Sequence, residues 1–323
     1  MVIAPLEELK QDIEKVEAEL QSVVEQRAGA LRSAAEMMFC TGGKRLRPAL
    51  VILVAKLFGA PKSGIYRIAA AIEMIHGASL IHDDVIDSTE VRRGAPTMNA
   101  IKGNQFSVLL GDFLLCQALL AVSELGRVDL LQVISQGVAD MTQGQILEAQ
   151  FQGDVTVSEE TYMEVVDGKT SALMAAGCKL AALYSDATPA QVQAASDFGR
   201  NLGHAFQIVD DILDIWGDPA VLGKPVGSDL QEQKYTLPFL MSYGSSAEDE
   251  REEVHKLLAN GSYPGEHIPE LVKWMDRHQG RARASERATQ YTLAAQSALE
   301  VLPVSKARDD LAQLVDFLVE RQK

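Results

Sequence analysis

The chain has 323 residues, 47% of them hydrophobic, and its 45 Asp and Glu outweigh 30 Lys and Arg to give a formal net charge of −15. That charge excludes sequence-independent binding to nucleic acid or to an anionic membrane surface, because the long-range field repels polyanions; an anionic ligand has to be held by local islands of positive charge. No Ser/Gly-rich or Pro-rich tract and no repeat of solenoid period divides the sequence, so residues 1–323 are expected to form a single domain.

Near the N-terminus, Leu6, Leu9, Ile13, Val16, Leu20 and Val23 step by three and four, which is one helical face. This segment is acidic, with neither a basic stretch nor an apolar core of its own, and does not read as a signal peptide. Helix is expected again over 65–81, 105–124, 130–151, 158–183, 189–215 and 284–302, with Gly and Pro punctuation at 59–61, 153–154, 188–189, 217–219 and 302–303. Alternating β-branched stretches are scarce. The pattern predicts an all-α protein, a single large bundle of about ten or more helices in which those apolar nearly all round are central. The longest uninterrupted apolar runs, such as 49–55, fall short of the roughly 18 to 20 residues of a membrane span, and none is expected. Cys40, Cys116 and Cys178 form no CxxC pair, which fits a reducing, cytoplasmic compartment.

Two acidic stretches stand out. LIHDDVIDSTEVRRG at 80–94 holds Asp83, Asp84 and Asp87, and FQIVDDILDIWGD at 206–218 holds Asp210, Asp211 and Asp214. On a helix the first and third aspartates of each triplet lie one turn apart on one face, with the middle one beside them. Like charges at that spacing destabilise a helix and push pKa values up unless cations compensate. Asp309-Asp310 has no third acid at i+4, where Gln313 stands, and reads as a solvated surface pair. An all-oxygen donor set points to a hard ion, and Mg²⁺ is the one usually shared between a few carboxylates, waters and the phosphates of a substrate. The triplets therefore read as two half-sites that close around a polyphosphate, at the mouth of the bundle.

Positive charge in this acidic chain is clustered at Lys44-Arg45-Leu46-Arg47, Arg92-Arg93, Lys169-Thr170, Lys224 and Lys234. Arginine forks grip phosphate bidentately and lysines supply point charges, so the set suggests two phosphate groups to be positioned. Other motifs fail. Gly168-Lys169-Thr170 lacks the P-loop glycine, since Met163 stands five residues before Gly168, and this segment reads as mid-helix. Glu73 and His76 match the Glu-x-x-His of di-iron bundles but have no second copy.

From GGKRLRP (42–48) through LIHDDVID, RRG, GDFLL (111–115), GKTSAL (168–173) and FQIVDDILD to GKPVGSDLQEQKYTLP (223–238), the chain resembles the trans-isoprenyl diphosphate synthases over nearly its whole length. The resemblance implies an isopentenyl diphosphate site at Lys44, Arg47, His76 and Arg93, and an allylic diphosphate site at Arg92, Lys169, Thr170, Gln207, Lys224 and Lys234. It implies three Mg²⁺ ions, two on Asp83, Asp84 and Asp87 and one on Asp210, Asp211 and Asp214, with Asp83, Asp84, Asp87, Lys169, Gln207 and Asp210 acting in catalysis. Without the resemblance His76 reads equally well as a satisfied core histidine. The implied reaction ionises the allylic diphosphate, and the isopentenyl double bond attacks the resulting cation with loss of a proton. Water has to be kept out, which requires a deep central apolar cavity behind the triplets. A homodimer is also implied. The sequence departs from the family pattern at Gln233, where a glycine is usual before the lysine, and this puts the pose of Lys234 in question.

The helix that carries Asp83 should wall the tunnel for the growing chain, and Ser79, Ala78, Ile75, Met74 and Ala71 recur on or near one face of it. In the family an aromatic residue five places before the first aspartate stops elongation early; here Ala78 holds that place, and the first DDxxD lacks the insertion of many short-chain bacterial enzymes. A long-chain polyprenyl product beyond about C30, of the kind used as a quinone side chain, is therefore expected. The alternatives are a geranylgeranyl or farnesyl diphosphate synthase, a noncatalytic helical subunit of a heteromeric synthase, and a metal-binding helical protein unrelated to prenyl transfer.

Overall fold

The computed structural model describes residues 8–25, 45–92, 94–219, 226–259 and 267–320. Lys44, Arg93, Lys224 and Cys40 lie outside the described residues. The first half of the chain forms α1 (Lys10–Glu25), α2 (Leu46–Lys56), α3 (Ser63–Ile86), the strands β1 (Val91–Arg92) and β2 (Ala95–Pro96), α4 (Met98–Lys102), α5 (Asn104–Ser123) and α6 (Val128–Phe151). The second half forms α7 (Glu159–Val166), a π-helical segment (Asp167–Ser171), α8 (Ala172–Tyr184), α9 (Pro189–Trp216), α10 (Ser228–Gln231), α11 (Leu237–Ser245), α12 (Glu248–Ala259), α13 (Ile268–Arg277), α14 (Gly280–Leu299) and α15 (Lys306–Glu320).

Local signals account for several boundaries. At α9, Thr188 and Gln191 form a reciprocal capping box and Pro189 fills the first turn, where its missing N–H costs nothing. At α7, Ser158 Oγ accepts from the Thr161 N–H at 3.2 Å. Helix α2 buries every residue from Pro48 to Ala55, as its unbroken apolar sequence requires.

The periodicity differs from the structure in two places. The single helix expected over 158–183 is two α-helices joined by the π segment, because apolar periodicity cannot register one extra residue in a turn. After the first triplet, β1 pairs antiparallel with β2, Val91 opposite Pro96 and Arg92 opposite Ala95, which is too short a hairpin to show as alternation. Helix α5 is long and apolar enough to cross a membrane by length and composition, with a third of that window buried. No uninterrupted apolar run revealed it, since Gly111, Asp112 and Gln117 break the sequence.

Packing is organised around α9, which lies against α8 and α14, and α3, which lies against α5. The largest apolar cluster joins α1, α2, α3, α8 and α15 with Phe198, Leu202 and Ala205 of α9. A second begins further along the same helix, with Ile208, Val209 and Ile212 against Tyr162, Phe239 and Trp274. Gln207, Asp210 and Asp211 therefore sit where two cores meet. A third, small cluster holds Ala78 and Ile81 of α3, Met98 of α4, and Leu110 and Leu114 of α5.

Candidate active site

The first triplet ends α3. The helix finishes at Asp87, whose N–H donates to the Asp83 carbonyl at 2.8 Å. A helix C-terminus is unfavourable for anions, so the carboxylates there need cations from elsewhere in the chain. Each finds one. Asp84 is buried and accepts from Arg92 Nε on β1 at 2.7 Å, while its backbone carbonyl accepts from the Thr89 N–H at 2.9 Å and from Asn99 Nδ2 at 3.1 Å. The hairpin thus folds Arg92 back onto the triplet. Asp87 Oδ2 accepts from Lys234 Nζ at 2.9 Å. Asp83 is half-buried; burial pushes its carboxyl up, the Lys169 cation pulls it down, and Glu148 and Asp87 push it up further. Burial likewise raises Asp84 against the pull of Arg92.

On α9 the second triplet divides its work. Asp211 is 1% exposed and both its oxygens are engaged, Oδ1 by Gln207 Nε2 at 2.9 Å and Oδ2 by the Tyr162 hydroxyl. Burial pushes this carboxyl up to about 7, with the two hydrogen bonds opposing. Asp214 is also buried; it accepts from the Ser228 hydroxyl and from the Asp229 N–H at 3.1 Å, which fastens the chain that follows α9 to the helix. Asp210 is the least buried of the three.

Lys169 and Thr170 lie on the π segment, which packs backbone against backbone on α6. A Cβ at Gly144 would stand 2.5 Å from Lys169 N, so no larger residue fits there. One turn beyond Gly144, Glu148 meets Lys169 Nζ at 2.5 Å. Thr170 Oγ1 donates to Gln207 Oε1 at 2.8 Å, which completes a chain from Thr170 through Gln207 to Asp211 and Tyr162. Lys234 bonds Glu232 at 2.8 Å as well as Asp87; burial opposes its charge, and the surrounding carboxylates Glu232, Glu148 and Asp87 more than offset this, holding the ammonium well above its ordinary range. A cavity of about 160 Å³ lies among Glu148, Tyr162, Lys169, Thr170, Gln207, Asp211 and Lys234.

The loop carrying Lys234 is held through its backbone. Gln152 Nε2 donates to the Glu232 carbonyl at 2.7 Å, the Gly153 N–H to the Gln233 carbonyl at 2.9 Å, and the Lys234 N–H to the Asp229 carbonyl at 2.8 Å. Gln233 has φ 59, the left-handed region where glycine is at ease. The residue that departs from the family pattern therefore keeps a glycine-like backbone.

Several expected residues do not line this cavity. Arg47 stands in the first turn of α2 and His76 is half-buried on α3, seven residues before Asp83. Arg45, at φ 49, enters α2 with Nη1 2.8 Å from Glu73 Oε1, tying the start of that helix to α3. Of the expected tunnel residues, Ala71, Met74 and Ile75 belong to the largest core cluster and Ala78 to the small one beside α5. Ser79 is half-buried, and its hydroxyl donates to the His76 carbonyl at 2.8 Å.

Sequence reasoning missed Glu148, Tyr162 and Glu232. For Glu148 a signal existed: Gly144 and Gly168 mark a close helix contact, and a carboxylate one turn from it faces the same neighbour. Tyr162 reads only as an apolar-face residue of α7, beside Val166.

Among the described residues no three Asp, Glu, His or Cys side chains converge tightly enough to hold a metal ion by themselves. The donors are carboxylate oxygens, several already paired with Arg or Lys. That set fits Mg²⁺, which keeps waters and takes substrate phosphate oxygens, better than an ion enclosed by protein.

Helical architecture, paired acidic triplets and facing cations define a class, and sequence comparison names it. The chain belongs to the polyprenyl synthetase family, whose sequence pattern matches residues 29–275. It is 37% identical to the short chain isoprenyl diphosphate synthase of Methanothermobacter thermautotrophicus over 90% of each chain. It is 36% identical to the octaprenyl diphosphate synthase of Escherichia coli over 87% of each. Among solved structures, the polyprenyl synthase of Caulobacter crescentus, complexed with calcium and isoprenyl diphosphate, matches with a TM-score of 0.93 at 31% identity, covering 100% of this chain and 98% of that one.

Proposed function

We propose that this chain is a Mg²⁺-dependent prenyltransferase that condenses isopentenyl diphosphate with an allylic diphosphate, head to tail and trans, to make a long-chain polyprenyl diphosphate. The observation that carries the reading is the junction of Asp83 and Asp87 with Lys169 and Lys234: a cation-lined mouth formed by residues from both ends of the site. Asp83, Asp84, Asp87, Asp210, Asp211 and Asp214 are the proposed Mg²⁺ ligands, three ions in all. Mg²⁺ there supplies positive charge to the departing diphosphate. Arg92, Lys169, Thr170, Gln207, Lys224 and Lys234 grip the allylic diphosphate, and Lys44, Arg47, His76 and Arg93 the isopentenyl diphosphate. Preorganised cations stabilise charge as it develops on the leaving group, and the apolar clusters on either side keep water from the allylic cation.

Beside one short-chain synthase, the relatives include octaprenyl, nonaprenyl and solanesyl diphosphate synthases at 32–36% identity, which favours a long-chain product. Ala78 supports a long product as well: it is fully buried on α3 beside Leu110 and Leu114 of α5, and it brings no aromatic ring to the place where one stops elongation early in the family. A homodimer is part of the proposal. Leu109 and Leu120 on α5 are 60% and 53% exposed, and Val128 and Ile146 on the neighbouring α6 are 70% and 64% exposed, an apolar surface suited to a second copy. The free thiols Cys116 and Cys178 suit a cytoplasmic enzyme.

Incubation of purified protein with isopentenyl and farnesyl diphosphates and Mg²⁺ tests the reading. Elongation that EDTA abolishes is expected; its absence in freshly folded protein would favour a noncatalytic helical subunit.

A further inference from the structure

One stripe of α9 does more than carry the second triplet. Arg200, His204, Gln207 and Asp211 follow one another at spacings of four, three and four, and so share a face. That face lies along the π segment. A Cβ at Gly203 would meet Ser171 Cα at 2.6 Å, so helix and segment touch without an intervening side chain. At the near end Gln207 accepts from Thr170. At the far end the stripe meets Asp167, the first residue of the segment: Arg200 pairs with Oδ2, and the His204 ring packs with Nε2 3.3 Å from Oδ1. His204 is itself fixed, 7% exposed, with Nδ1 2.9 Å from the Arg200 carbonyl and its ring stacked on Tyr291 of α14 at 4.6 Å.

A π turn is rare and is found frequently at functional sites. It holds one residue more than an α turn, so relaxation to α geometry would rotate the residues on one side of it by roughly 100° relative to the other. Lys169 and Thr170 lie within it, two and three residues after Asp167. Their direction depends on both ends being held.

We propose that Asp167 is a positioning residue: clasped by Arg200, with His204 packed beside it, on the side away from the cavity, it holds the π register that turns Lys169 and Thr170 toward the acidic triplets. The inference rests on the prenyltransferase reading only for which diphosphate is bound. Asp167 acts through Lys169 and Thr170, so its removal must matter only while they are present.

The test is calorimetric binding of inorganic diphosphate in Mg²⁺ to wild type, D167N, K169A/T170A and the triple variant, with thermal unfolding of each. D167N should weaken diphosphate about tenfold in the wild-type background and less than about twofold once Lys169 and Thr170 are gone, the signature of coupled residues. An equal loss in both backgrounds, or none in either, overturns the proposal. Should D167N not fold, R200M, which removes a 41% exposed side chain from the clasp, is read in the same two backgrounds and against the same outcomes. A wild type that binds diphosphate but extends no allylic substrate would sink the proposed function and leave this inference standing.

Discussion

Lys234 Nζ stands 2.9 Å from Asp87 Oδ2 across 147 positions of sequence, so the loop after the second triplet is tied to the carboxylate that ends the first. Both side chains are 14% exposed, a setting in which an ion pair is only weakly screened. Lys234→Met leaves Asp87 without this partner and is expected to destabilise the metal-free protein by about 3 kcal/mol, the low end for a buried pair, since both side chains keep some exposure. Mg²⁺ should restore more stability to this variant than it adds to the wild type, because it no longer competes with the ammonium for Asp87. Thermal unfolding in EDTA and in Mg²⁺ measures both; an equal Mg²⁺ shift would show that ion and lysine do not share this carboxylate.

Tyr162→Phe removes the hydroxyl that donates to Asp211 Oδ2 and leaves Oδ1, bonded by Gln207, as the engaged oxygen of this buried carboxyl in the Thr170 chain. A loss of about 1–3 kcal/mol is expected from the unsatisfied acceptor. Turnover should fall with it, since Gln207 also orients Thr170. Chemical denaturation and steady-state kinetics on the same preparation separate the two effects, and unchanged values for both would show the hydroxyl to be dispensable.

Stability of the metal-free protein should fall as pH rises from about 4 to about 7. Burial lifts Asp211 to about 7 and raises Asp83 and Asp84 above their ordinary range. These carboxyls titrate near 4 in the unfolded chain, so across that window the folded state holds more protons, and raising pH favours unfolding. In EDTA the urea midpoint should be higher at about pH 5.5 than at about pH 8, and Asp211→Asn should remove part of the difference. A midpoint that rises with pH by the same amount in both proteins refutes the assignment.

Ala78→Phe should shorten the product without abolishing condensation. Ala78 is fully buried beside Leu110 and Leu114, so the ring must either displace α5, at about 1–3 kcal/mol, or project into the proposed tunnel. Chromatography of the dephosphorylated products reads the outcome. An unchanged length with normal turnover removes Ala78 from the tunnel wall.

Gln233→Gly should be close to neutral. The left-handed backbone at Gln233 costs about 1 kcal/mol that glycine relieves, and the added freedom of the unfolded chain takes back about 0.5–1 kcal/mol. The bonds that hold the Lys234 loop to Gln152 and Gly153 end on backbone carbonyls and survive the change. Turnover within about threefold of wild type is expected, since the entropy cost falls on the unfolded state; a tenfold fall would mean that the glutamine side chain itself places Lys234.

The sequence by itself determined the all-helical class, most of the long helices and the two acidic triplets, because apolar periodicity and carboxylate spacing are local properties that a linear pattern records. It also determined that cations had to meet those carboxylates, since the repulsion within each triplet is written in its spacing. Tertiary structure alone decided the pairing: Arg92 on Asp84, Lys234 on Asp87, Lys169 between Asp83 and Glu148, and Tyr162 on Asp211. The hydrogen-bonded partners lie 8, 147, 21 and 49 residues apart, and which of them meet depends on helix crossings such as the Gly144–Gly168 contact. The π turn beneath Lys169 was hidden for the same reason. Its single extra residue leaves the apolar pattern intact, and only the grip of α9 on Asp167 and Thr170 distinguishes it from an ordinary helix.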